Sequence, residues 1–296
     1  MLGSMENSDI SESAFSTLAK FVYDESGLLL VPEKSVMIQS RIRPRMKSLN
    51  IKKFDEYVEF VCSSDGDVEQ RYLISALTTN VSHFFREEHH FDLMIDHIRT
   101  KLSKRSANED RLRVWSAGCS NGQEACSITI SLLERIPEAR NMDLKILATD
   151  IDPKVVKFAR DGCYPQNMVS NLSEEILDKY FTKSEDSTYS ANDELRSRIT
   201  FRELNLLKNW PMKNGFDVIF CRNVVIYFDQ ETQQHLWPRF REKLPANGRL
   251  FLGHSERMVS AEAFGFHTCG PTAYAAEQMA AGQENSEIKE SHNGIA

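Results

Sequence analysis

Val114-Trp115-Ser116-Ala117-Gly118-Cys119-Ser120-Asn121-Gly122-Gln123-Glu124 runs from an apolar strand through a turn of small residues into a helix. Gly118 and Gly122 let the backbone come close to a ligand, and the helix expected over Glu124 to Arg135 aims its free N–H groups at that turn. Further on, Leu147-Ala148-Thr149-Asp150 closes a second apolar segment on a carboxylate, which can accept hydrogen bonds from two ribose hydroxyls. A third block, Phe220-Cys221-Arg222-Asn223-Val224-Val225-Ile226-Tyr227-Phe228, continues the buried-strand run Phe216 to Phe220. It sets Arg222 and Asn223 at the carboxyl end of that strand, where open α/β sheets hold their ligands. In series, the three blocks predict a nucleoside-binding α/β domain.

The turn also discriminates between nucleosides. A dinucleotide fold uses Gly-x-Gly-x-x-Gly to seat a pyrophosphate on the helix end, whereas here the order is Gly118-Cys-Ser-Asn-Gly122 with Glu124 at the helix start. A carboxylate there repels a pyrophosphate but suits a ligand carrying an ammonium and a sulfonium. S-adenosylmethionine is therefore favoured over NAD. Many amino-group methyltransferases carry Asn-Pro-Pro-Tyr or Asp-Pro-Pro-Tyr after the third strand; this chain has Arg222, whose fork matches a carboxylate.

With these residues in view, the chain resembles the CheR family, the S-adenosylmethionine-dependent methyltransferases that esterify glutamates on bacterial chemoreceptors. The matching blocks are Thr78 to Glu87, Trp115 to Ser127, Ala148 to Asp152, Leu204 to Leu207, Cys221 to Asp229, and Gly253-His254-Ser255-Glu256. The resemblance implies that Asn80, Ser82 and Arg86 contact the methionine part of the donor, with Gly118 and Glu124 beside it. It implies that Asp150 holds the ribose, that Asn205 and Leu206 frame the adenine, and that Arg222 and Asn223 lie near the transferable methyl. Arg222, Tyr227 and Arg86 are the catalytic candidates, in positioning roles; for Tyr227 a core aromatic with its hydroxyl at the surface is the competing reading. The chain departs from the common family pattern at Ser82, usually Thr, and at Gln123, Ala125 and Cys126, where Glu, Pro and Tyr are frequent.

The implied fold is α/β: a doubly wound, Rossmann-like class I methyltransferase sheet behind a small all-helical N-terminal domain, with a small antiparallel β insert. Helical spacing such as Phe54, Tyr57, Val58 and Val61 marks residues 11–77 as the helical domain. Residues 78–110 read as an interdomain linker. The methyltransferase domain covers 111–278, with strands expected at Val114 to Ala117, Leu144 to Ala148, Phe216 to Phe220 and Arg249 to Leu252 forming a parallel sheet, and a helix at Gln230 to Leu244. Residues 163–203 break the alternation and read as the insert. The polar end, 279–296, lacks periodicity and reads as a disordered tail.

Composition bounds the remaining possibilities. With 41% hydrophobic and 27% charged residues, the 296-residue chain is globular in class. Six cysteines without a C-x-x-C pair point to reduced thiols, and the start has neither a basic n-region nor an apolar h-region, so a cytoplasmic location is expected. Gly3-Ser4 ahead of Met5 suggests an appended leader with Met5 as the natural start. His83, His89, His90 and His254 lack zinc-ligand spacing, and no metal is expected.

The net charge is −7, yet Lys34 to Lys53 holds seven cations and no carboxylate. No nucleic-acid motif accompanies this cluster; a solvated basic face is one reading, and docking of the glutamate-bearing cytoplasmic helices of chemoreceptors is the other. Pro44 within it either kinks a helix or starts one. Some relatives grip a receptor's C-terminal pentapeptide through a glycine-containing loop of the insert. Lys183 to Arg198 has no glycine and is acidic at its centre, so that tether is not expected here. Two alternatives stay open: a carboxyl methyltransferase of another signalling protein, and a non-catalytic module that binds cofactor and receptor.

Overall fold

The computed structural model describes residues 9–104 and 110–278; the expected leader and tail lie outside them. The chain begins with four helices, α1 (Glu12–Ser26), α2 (Ser35–Ser48), α3 (Phe54–Val61) and α4 (Asp67–Leu77). Leu18, Val22, Ile42, Tyr57, Val61 and Leu73 are fully buried between them in a core of their own. Ser11 caps α1 by accepting the Ala14 N–H at 3.2 Å, and Gly27 ends the helix in the left-handed region at φ 71°. Pro44 lies inside α2, which continues past it to Ser48.

The main domain follows as α5 (His89–Ser103), β1 (Arg111–Ala117), α6 (Gln123–Arg135), β2 (Asp143–Asp150) and α7 (Pro153–Asp161). Next come β3 (Cys163–Pro165), α8 (Gln166–Val169), α9 (Glu174–Tyr180), β4 (Phe181–Lys183), β5 (Thr188–Ala191), α10 (Asp193–Arg196) and β6 (Ile199–Glu203). The chain then forms β7 (Val218–Cys221), α11 (Gln230–Glu242), β8 (Arg249–Leu252), β9 (Phe266–Gly270) and β10 (Ala273–Ala276). Among the described residues, seven strands form one sheet in the order β6-β2-β1-β7-β8-β10-β9, and three form a second in the order β3-β5-β4.

Alternation along each strand divides the core into two layers. Val114, Ile146, Ala148 and Phe220 face α5, α6 and α7, while Trp115, Ala117, Ile219 and Leu252 face Leu236, Trp237 and Phe240 of α11. Helices therefore cover both faces, as a doubly wound sheet requires.

Three expectations need correction. The sheet is parallel only from β6 to β8, because β10 pairs antiparallel with β8 and β9. The segment 78–110 is more than a linker: Phe91, Met94, Ile95 and Ile98 of α5 are buried in the main core. The insert stops short of residue 203, since β6 pairs with β2 as the edge of the main sheet.

Candidate active site

The eleven residues singled out as donor-binding or catalytic, from Asn80 to Tyr227, all line one cavity at the carboxyl end of the sheet. The fold brings them there from four places: the 78–86 segment, the β1–α6 turn, the ends of β2 and β6, and the loop after β7. Ser26 and Leu28, from the end of α1, close the wall on the helical-domain side.

Gly118 sits at φ 96°, and a Cβ there would lie 2.2 Å from Val224 Cγ2. Only glycine fits, because both the backbone region and the adjacent loop forbid a side chain. Gly122, at φ 84°, is the N-cap of α6, and its missing Cβ leaves room for Ala159 and Phe201.

Asp150 ends β2 almost wholly buried. Its carboxylate accepts the Ser120 N–H at 2.8 Å and the Asp152 N–H at 3.0 Å, one on each oxygen. Burial pushes its pKa up to about 6, against those N–H groups, which pull it down. Each oxygen keeps a further acceptor site for a ribose hydroxyl. Asn80 braces the same turn: its side-chain amide donates to Asp152 at 2.7 Å and its carbonyl accepts the Ser120 hydroxyl at 2.9 Å.

Arg222 lines the cavity and is also engaged from behind. Its side chain is 1% exposed and lies 3.3 Å from Glu124 and 3.4 Å from Glu87, while it also donates to the Arg86 carbonyl. The guanidinium thus lies between two carboxylates and near the aromatic rings of Phe91 and Phe220, with its Nε and Nη1 making no hydrogen bond among the described residues. Glu124 accepts the Ser116 hydroxyl at 2.6 Å, and burial raises its pKa although Arg222 opposes the rise. Burial would raise Glu87 as well, but Arg222 and His254 outweigh it and hold the carboxyl below its ordinary value. Arg86 is the accessible cation, with a side chain 26% exposed.

Asn205 is also partly committed. Its amide donates to the Glu25 carbonyl at 2.6 Å and accepts the Leu207 N–H at 2.9 Å, so it ties the helical domain to the cavity floor. One N–H and one lone pair remain for an adenine edge. Tyr227 is half-buried and lines the cavity, and its carbonyl accepts the Leu29 N–H at 3.4 Å. Gln123 is buried, with its amide directed at the Met168 carbonyl, a contact between α6 and the insert.

Sequence reasoning missed Glu87 and Glu256. Glu256 accepts the N–H groups of Gly253 at 2.6 Å, Asn223 at 2.8 Å and Ile226 at 3.0 Å. It pins the loop after β7 to the loop after β8, and Asn223 is held at φ 59°. The available signal was the presence of both carboxylates inside quoted blocks.

On the basic segment, the structure separates two kinds of cation. Arg45 binds the buried Glu69 through two bonds of 2.9 and 2.6 Å, and Arg41 donates to the Leu77 and Thr78 carbonyls. These arginines hold the helical domain together. Lys34, Arg43, Lys47, Lys52 and Lys53 are exposed.

A doubly wound sheet with a glycine turn, a strand-end aspartate and a carboxylate in the first turn of the next helix defines the class of S-adenosylmethionine-dependent methyltransferases. Two family models match the chain, "CheR methyltransferase, SAM binding domain" over residues 80–274 and "CheR methyltransferase, all-alpha domain" over residues 13–78. A probable chemotaxis protein methyltransferase of Rhizobium etli is 41% identical over 86% of this chain and 96% of its own length. The chemotaxis protein methyltransferase of Escherichia coli is 37% identical over 93% of this chain and 94% of its own length. The chain belongs to the CheR methyltransferase family, and S-adenosylmethionine is its cofactor.

Proposed function

We propose that this protein transfers the methyl group of S-adenosylmethionine to glutamate side chains of chemoreceptors, giving methyl esters and S-adenosylhomocysteine. The observation that carries the reading is the single cavity in which Gly118, Asp150, Glu124 and Arg86 converge, together with the names of the relatives. The donor supplies an electrophilic methyl on a sulfonium. A glutamate, with a reference pKa of about 4.3, is already ionised at neutral pH, so its oxygen attacks without a general base. The protein's task is alignment and exclusion of water. Arg86 orients a carboxylate at the mouth, Asp150 holds the ribose, and Arg222 acts as a positioning residue that fixes Glu124 and the Arg86 backbone. Incubation with tritiated donor and receptor cytoplasmic fragments should yield base-labile methyl esters on glutamates; absence of such label would reject the substrate assignment.

Asp150→Ala is expected to weaken donor binding by about 1.5–3 kcal/mol, the range for hydrogen bonds to a charged group. The sign of the pH dependence follows from the raised pKa. Below about 6 the carboxyl is protonated and gives up acceptor capacity, so donor affinity falls as pH drops through that value. The ligand-free protein behaves oppositely, losing stability from this group as pH rises through about 6. Calorimetry across pH 5 to 8 reads the first effect, and a flat profile in the wild type would exclude the ribose assignment.

The exposed cations of the helical domain are the proposed receptor contact, reached by charge alone. Converting Lys34, Lys47 and Lys52 to Glu should raise the KM for receptor and leave donor affinity unchanged, because all three are exposed and none lines the donor cavity. The β4–β5 turn exposes Glu185 and Asp186, which oppose an acidic peptide, so a receptor-tail pentapeptide should show no binding in the micromolar range. Unchanged KM in the triple variant would return the segment to a solvated face.

A further inference from the structure

A second concavity lies behind the donor turn, between α7, α10 and β6, and three exposed arginines, Arg160, Arg196 and Arg202, line it. Arg160 Nη2 and Arg202 Nη1 both donate to one oxygen, the Phe201 carbonyl, at 3.3 and 2.9 Å. Arg196 Nη1 donates to the Asp161 carbonyl at 2.7 Å. The backbone thus draws like charges to one spot. Nearby carboxylates are engaged elsewhere: Asp161 with Lys157 at 2.7 Å, Glu194 with Arg140, and Glu203 with Arg71. Among the described residues, these three guanidinium groups form no ion pair. In a chain of net charge −7, such a gathering is an unfilled demand for an anion.

The floor differs in character from the rim. Phe201, Tyr164 and Ala159 present buried apolar surface there. Gly162, at φ 66°, keeps the Arg196 guanidinium close, since its absent Cβ would lie 3.1 Å from Nη1. An apolar body on this floor places an attached anion among the arginines. Tetrahedral phosphate offers more acceptor positions to several planar forks than a carboxylate does.

We propose that this groove binds a phosphate ester of a small molecule. The assignment is independent of the receptor substrate, since it uses none of the residues of the donor cavity. Its floor nevertheless touches the donor turn, because the Tyr164 hydroxyl donates to the Asn121 carbonyl at 3.1 Å.

The test is calorimetry with phenyl phosphate at constant ionic strength, with the donor cavity filled by saturating S-adenosylhomocysteine. A dissociation constant of about 1 mM or tighter is expected, with inorganic phosphate weaker by about threefold or more. The Arg160→Gln, Arg202→Gln double variant should weaken phenyl phosphate by about tenfold or more. Its affinity for S-adenosylhomocysteine should stay at the wild-type value, which reports an intact fold. No heat up to about 10 mM, or equal affinity in the double variant, overturns the site. Equal affinity for inorganic and phenyl phosphate overturns the ester in favour of the free anion.

Discussion

Arg222→Ala should destabilise the protein by about 3–5 kcal/mol, because it strands buried carboxylates without their counter-charge. Glu124 and Glu87 lie 3.3 and 3.4 Å from the guanidinium, with side chains only 13% and 10% exposed. Turnover should collapse together with stability, since the Arg86 carbonyl and the first turn of α6 both lose their anchor. Arg222→Lys should recover only part of either quantity: an ammonium is a point charge and cannot face two carboxylates and a carbonyl in one plane. Pairing Arg222→Met with Glu124→Gln should be less damaging than Arg222→Ala, because one stranded charge is removed along with its partner. Denaturant titration provides the measurement. Wild-type stability in the alanine variant would show that the two carboxylates find other partners.

How much of this site was legible in the sequence depends on the range of each interaction. Gly118, Gly122 and Glu124 fall within seven residues, and the strand before them fixes their direction, so local chemistry sufficed. Asp150 could be placed because it closes an apolar run. The pairing of Arg222 could not be read, since Glu124 and Glu87 are distant in sequence and meet it only when β7 docks beside β1. Strand β10 escaped notice because Ala273 to Ala276 is buried on both faces and shows no alternation, and in β9 only Phe266 is buried. The α5 stretch does carry a helical apolar stripe, Phe91, Met94, Ile95 and Ile98, but its place after the donor-contact segment made it look like a connection. Arg41 and Arg45 read as surface charge, and only the packed helices reveal Glu69 beneath Arg45 and the Leu77 and Thr78 carbonyls beside Arg41.

The same long-range logic makes Glu256 the second critical position. Its carboxylate is 2% exposed and accepts three backbone N–H groups from two loops, among them that of Asn223 in the cavity wall. Burial raises its pKa, and the backbone N–H groups oppose that rise. Asn223 is held in the left-handed region at φ 59°, a conformation that persists only where the surroundings impose it. Glycine at 253 is part of the same joint, because a Cβ there would come within 2.8 Å of the Asn223 nitrogen. Glu256→Ala removes every acceptor at once, and each buried N–H left unpaired costs about 1–3 kcal/mol until water or a shifted loop replaces the carboxylate. A net loss of about 2–4 kcal/mol is expected, with donor affinity and turnover falling together as Asn223 relaxes. Glu256→Gln keeps one acceptor oxygen and places an N–H against other N–H groups, so it should rescue little. Glu256→Asp retains the charge but is a methylene short, and should fall between wild type and alanine. The ordering of the three variants in both thermal midpoint and donor affinity separates a carboxylate that shapes the site from one that merely fills space: space-filling predicts that glutamine behaves as wild type, whereas loop pinning predicts that it does not.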